Sequence, residues 1–178
     1  RFLNPEKFKI KSLESYLDEC KKHFLIVDPE IRKKSILEQV QQLAKQAGGR
    51  IKEDEDLVNL VNYLVEYPVA IKGNFDSRFL ELPQELLVIT MKSHQKYFPI
   101  WDKKEKLLPC FITISNMPAT DENEIQKGNE RVLRARLEDA RFFYDEDRKK
   151  SLEGFVESLK GVVFQKKLGT IYEKVGRI

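Results

Sequence analysis

A chain of 178 residues with 41% hydrophobic side chains is long enough to bury a core and reads as one domain with an appended segment. Its 32 basic and 29 acidic residues leave a net charge of +3, so any surface built for an anionic polymer has to be local. No run approaches the roughly eighteen apolar residues of a bilayer span, the opening Arg1-Phe2-Leu3-Asn4-Pro5 has no signal-peptide core, and Cys20 and Cys110 stand too far apart for a CxxC site. A soluble, cytoplasmic protein with reduced, buried thiols and no membrane partner is expected.

The first third reads as helices, beginning with residues 11–22. Asp28-Pro29-Glu30, a capping residue followed by proline at the first helical position, opens a second helix with Ile31, Ser35, Val40 and Leu43 on its inner side. It runs to Ala47 and stops at Gly48-Gly49. Residues 54–66 form a third, with an apolar stripe of Leu57, Leu60, Val61 and Leu64. At Pro68 the pattern changes, and residues 68–75 suit a strand. Pro83 opens a further helix that continues through residues 86–94 toward Tyr97. Residues 97–101 and 108–115 then predict a strand pair joined by the charged turn 102–106. After Asn116 the chain returns to helix, most strongly over residues 129–144 and again over 152–159. Ile171, Val175 and Ile178 at helical spacing, with Arg1 no initiator, predict a chain cut at both ends and finishing inside a helix. Helices, then strands around one helix, then helices again define an α+β fold, with N-terminal helices and a mixed β-sheet with packed helices. No linker is visible before about Gly161.

There is no GxxxxGK[ST] loop, GxGxxG turn, HExxH helix or GxSxG elbow, and only His23 and His94 are available as imidazoles. No catalytic residue and no metal site is therefore assigned. The helix over 129–144 carries the clearest candidate surface. At 100° per residue Leu133, Leu137, Ala140 and Tyr144 face a core, with Glu130, Arg134, Glu138 and Arg141 beside them. Glu130 with Arg134, Arg134 with Glu138, and Glu138 with Arg141 are spaced for pairs of about 0.2–0.5 kcal/mol each, and Arg136 can likewise meet Asp139. Arg131 has only Lys127, Arg134 and Ala135 as helical neighbours. Either Lys127, Arg131, Arg134 and Arg136 present positive charge to RNA phosphates, or the face is a solvated network of ion pairs. Lys92, His94 and Lys96, interleaved with Gln95 and Tyr97, could line a groove for the end of a nucleic-acid strand. Alternatively His94 closes a helix and the lysines are solvated.

Three stretches carry a family resemblance: Phe79-Leu80-Glu81-Leu82-Pro83 leading into Met91-Lys92-Ser93-His94-Gln95-Lys96-Tyr97-Phe98; Gly128-Asn129-Glu130-Arg131-Val132-Leu133-Arg134-Ala135-Arg136-Leu137; and Val163-Phe164-Gln165-Lys166-Lys167-Leu168-Gly169-Thr170. They resemble, in order, landmarks of the beta subunit of the bacterial two-subunit glycyl-tRNA synthetase, as an internal fragment of it. The resemblance implies a heterotetramer of two alpha and two beta chains that attaches glycine to tRNA-Gly. ATP and Mg would be used by the alpha subunit, and no cofactor would be bound in this fragment. It also implies that residues 1–160 resemble the editing-type domain of the phenylalanyl-tRNA synthetase beta subunit and handle tRNA, while residues 161–178 begin an HD-type helical domain. Two other roles stay open: a scaffold that docks the alpha subunit without touching RNA, and an editing hydrolase of mischarged tRNA.

Overall fold

A computed structural model describes residue 5 and residues 7–178; the stretch Arg1–Asn4, read as free of a signal-peptide core, lies outside them, as does Glu6. The chain divides into two compact units, one ending at Glu138 and the other spanning Asp139–Ile178.

The first unit opens with helix α1 (Leu13–Lys22), whose first turn is closed by a reciprocal capping box between Ser12 and Ser15. Helix α2 (Pro29–Gln46) begins as its sequence predicts, with the Asp28 carboxylate accepting from the amides of Glu30 and Ile31. Its buried stripe is Arg32, Ile36, Val40 and Ala44, one residue every four. Ile31, expected inside, is 54% exposed, and Leu43 is only partly buried. The helix has to turn this way because Arg32, not Ile31, is the side chain that satisfies buried carbonyls. Helix α3 (Glu55–Leu64) is capped by Asp54, which accepts from Leu57 N at 2.9 Å. It buries Leu57, Val58, Val61 and Asn62, whereas Leu60 and Leu64, expected in its stripe, are exposed.

Three antiparallel strands follow: β1 (Pro68–Asn74), β2 (Phe98–Trp101) and β3 (Leu107–Asn116), in the order β1-β3-β2. Between β1 and β2 come a 3₁₀ turn (Ser77–Glu81) and helix α4 (Gln84–Ile89). The expected unbroken helix to His94 instead widens at Thr90 into a π-turn (Thr90–His94), and the Thr90 hydroxyl donates back to Leu86 O at 2.8 Å. The β2–β3 hairpin closes on Asp102, whose Oδ1 accepts from the amides of Lys104 and Lys106; these bonds hold its carboxyl below the usual carboxylate range.

Alternation along β3 gives the sheet two faces. Cys110 and Ile112 join Phe98 and Ile100 beneath Ile36, Val40 and Ala44 of α2 and Leu57, Val58 and Val61 of α3. Phe111 points the other way and stacks on Tyr97, with ring centroids 4.5 Å apart. Both outer edges of the sheet are partly occupied by side chain or by other backbone. Along β1, Gln39 of α2 accepts from Ala70 N at 2.9 Å and donates to Pro68 O, and Glu130 accepts from Asn74 N at 2.8 Å. Beside β2, Arg50 and Trp101 exchange both backbone hydrogen bonds. Cys20 and Cys110 are both free and buried, and burial pushes the Cys110 thiol up.

Helix α5 (Glu122–Asp147) extends well beyond the predicted 129–144, and the boundary between the units falls inside it. The second unit goes on with α6 (Leu152–Ser158), a short hairpin of β4 (Val163–Gln165) and β5 (Gly169–Thr170), and α7 (Ile171–Val175). The hairpin turns at Gly169, whose φ of 81° suits glycine, and Thr170 and Glu173 form a capping box that starts α7. The helix expected to run on through Ile178 gives way to a turn at Gly176. None of the described side chains of this second unit is fully buried. Among the described residues no helix is long and apolar enough to cross a membrane.

Candidate nucleic-acid interface

α5 starts where Asp121 Oδ1 accepts from the amides of Asn123 and Glu124, and it turns Leu133 and Leu137 completely inward. Polar contacts fix its rotation. Asn129 donates to Ile125 O at 2.8 Å and accepts from the Tyr97 hydroxyl at 2.6 Å. Glu130 accepts from Asn74 N and from Gln126, each at 2.8 Å, and Glu138 pairs with Arg78 of the 3₁₀ turn. The two acids expected to neutralise Arg134 are therefore committed to β1 and to the 3₁₀ turn. Arg141, expected beside Glu138, lies within reach of Asp145 at 3.9 Å.

What remains on the outer face is a cationic stripe. Lys127, Arg131 and Arg134 are exposed and pair with no acid among the described residues. At 100° per residue they fall within about 60° of arc and along about 10 Å of helix. Arg136 is also exposed and unpaired, but it sits two positions past Arg134, roughly 160° around the helix, on a different side. The second predicted group is dispersed into local contacts. Lys92 meets Asp54, and Lys96, held at φ 59°, donates to Ser93 O at 2.6 Å. His94 is exposed in the π-turn. Burial alone would raise the Asp54 carboxyl, but Lys92 and the Leu57 amide outweigh it and hold it below its ordinary value. Lys92 and Asp54 border a cleft of about 170 Å³ beside Lys52 and Trp101, below the roughly 300 Å³ at which ligand pockets begin. Among the described residues no group of three His, Cys, Asp or Glu is placed to hold a metal ion.

Sequence reasoning missed the partners that set this surface, Asn74 and Arg78. Both lie more than fifty residues from the acids they bind, and no helical spacing rule reaches them.

Tyr97, the side chain that anchors α5 from the sheet side, has its phenol pushed up to about 12 by burial. A folded pKa above the ordinary value of 10 means that the stability contributed by the neutral phenol is complete below pH 10 and is lost as pH rises to about 12. Unfolding free energies measured across that window are expected to fall more steeply for the parent than for Tyr97→Phe. Equal slopes would show that Tyr97 ionises like an exposed tyrosine.

The class comes from the family model that matches, over residues 1–178: it is a subunit of an aminoacyl-tRNA synthetase, described as glycyl-tRNA synthetase beta subunit. The chain belongs to that family. Glycine--tRNA ligase beta subunits of Syntrophotalea carbinolica, Trichlorobacter lovleyi and Geobacter sulfurreducens are 52%, 54% and 52% identical to it over 177 residues, 99% of this chain. The chain spans 26% of the length of each of these relatives.

Proposed function

We propose that this chain is the part of a glycine-tRNA ligase beta subunit that positions tRNA-Gly, with Lys127, Arg131 and Arg134 as its phosphate contacts. The observation that carries this reading is the diversion of Glu130 and Glu138 to Asn74 and Arg78, which leaves three cations in one stripe with no ion pair among the described residues. Such a stripe attracts phosphates without reading sequence, which suits a surface that holds a folded RNA in register while chemistry proceeds elsewhere. The bond-making step, with its ATP and Mg, belongs on this reading to an alpha subunit. The chain's remaining exposed surface supports assembly with it, as the names of the relatives suggest.

The test is tRNA-Gly binding at several salt concentrations, comparing the parent with the triple change Lys127→Gln, Arg131→Gln, Arg134→Gln. Each lost phosphate contact lowers the slope of log affinity against log salt by roughly 0.7–0.9, so the triple change is expected to flatten it by about two and to weaken binding about ten- to a hundredfold. Arg136→Gln, on the other side of the helix, is expected to leave the slope almost unchanged. Equal affinity and slope for parent and triple variant would overturn the reading and leave a scaffold that docks the alpha subunit.

A further inference from the structure

Residues 1–23 hold six cations against four acids, so two of the chain's three net positive charges arise there. Lys7, Lys9 and Lys11 alternate with Phe8 and Ile10 in a segment outside any helix or strand. All three lysines are exposed, and none pairs with an acid among the described residues. Glu19, the acid on which Lys11 acts through space, is bonded instead to Lys22 at 2.8 Å. Consecutive lysines on this alternation stand at most about 7 Å apart along the backbone, close to the separation of successive phosphates on a nucleic-acid strand.

In the middle of these charges is an aromatic platform. The Phe8 ring stacks on His23 with centroids 3.8 Å apart and planes 23° from parallel. His23 is itself fixed at the end of α1, its Nδ1 donating to Glu19 O at 2.7 Å. Phe8 nonetheless stays 40% exposed. An ordered, open ring flanked by free cations is what an unpaired nucleotide requires: the ring takes the base and the cations take the phosphates. An acidic peptide would use the lysines and leave the ring idle, and a lipid surface would call for far more apolar area than one phenyl group.

We infer that Lys7, Lys9 and Lys11 with the Phe8–His23 stack form a second RNA contact, which holds a single-stranded nucleotide of the bound tRNA. This rests on the reading of the chain as tRNA-binding, but it uses a different surface and a different mode of recognition.

The charge and stacking contributions separate experimentally. Binding of tRNA-Gly and of inorganic polyphosphate is measured against salt for the parent, for Phe8→Leu, for Phe8→Trp, and for Lys7→Gln, Lys9→Gln, Lys11→Gln together. Phe8→Leu is expected to weaken tRNA binding about tenfold with an unchanged salt slope and to leave polyphosphate binding alone, while Phe8→Trp restores tRNA affinity. The lysine triple is expected to flatten the slope for both ligands by about two. If Phe8→Leu binds tRNA within twofold of the parent, or loses polyphosphate equally, the stacking contact is overturned. If these variants match the parent while the α5 triple change abolishes binding, this inference fails and the α5 reading stands; the reverse pattern overturns the α5 reading alone. A parent that binds no tRNA at low salt overturns both.

Discussion

Arg32→Ala is expected to lower the free energy of unfolding in urea by about 3–5 kcal/mol, because Arg32 is a buried cation bonded only to carbonyl oxygens. It is 8% exposed; its Nη1 donates to Ile26 O at 2.6 Å and its Nε to Asn62 O at 2.9 Å. Asn62 lies in the last turn of α3, where free carbonyls and the helix dipole favour a positive charge, and its own amide donates to Pro29 O at the start of α2. One guanidinium thus ties the loop before α2 to the end of α3. Truncation leaves two carbonyls behind a protein wall, each worth about 1.5–3 kcal/mol when bonded to a charged donor. Arg32→Lys is expected to recover less than half of the loss, since a single ammonium lacks the planar fork that reaches both oxygens. A loss below about 1 kcal/mol for Arg32→Ala would show that water satisfies these carbonyls in its place.

The second large effect comes from the adjacent pair Gly48-Gly49, and it falls on the glycine whose φ is unremarkable. Gly48 is the residue in the left-handed region, at φ 77°, yet a Cβ there would meet no atom within 4 Å. Gly48→Ala should therefore cost only the conformational penalty of about 1 kcal/mol. At Gly49 a Cβ would stand 2.5 Å from Ile100 Cγ2, 2.7 Å from Trp101 O and 2.9 Å from Leu108 Cδ1. Trp101 O is the acceptor from Arg50 N at 2.8 Å, so the backbone cannot yield there without breaking the bridge that covers β2. Gly49→Ala is expected to cost about 3 kcal/mol in urea unfolding, several times the cost at Gly48. Equal losses at the two positions would mean that the bridge is soft enough to move aside.

Much of the architecture follows from local chemistry that a sequence displays. Asp28-Pro29 starts α2, Gly48 ends it, Pro68 opens β1, and the charged run 102–106 turns β2 into β3. The misplaced faces share one cause, a tertiary contact overriding a periodic pattern. Ile31 reads as core by hydrophobicity, but the rotation of α2 is set by the carbonyls that Arg32 bonds, Ile26 O in the preceding loop and Asn62 O in α3. The π-turn at Thr90 adds one residue to a turn and is marked by no residue type. At the candidate interface the stripe of Lys127 and Arg131 was legible from spacing. Arg134 was named with them, but the helix alone offers it Glu130 and Glu138, and only the folded chain brings Asn74 and Arg78 to take them. The small hairpin of β4 and β5 escaped because strands of three and two residues carry no alternation to read.

The guarded rim of the three-stranded sheet bears on how such a subunit behaves when many copies are made at once. A strand end with free amides is adhesive, and two such ends on separate molecules can zip together into assemblies that never return to solution. Here Gln39 and Glu130 already hold the amides of Ala70 and Asn74, and Arg50 is laid against Trp101 on the opposite rim. Glu130 therefore serves twice: by turning toward the sheet it unmasks the cations of its own helix, and it also closes a seam through which the protein could polymerise.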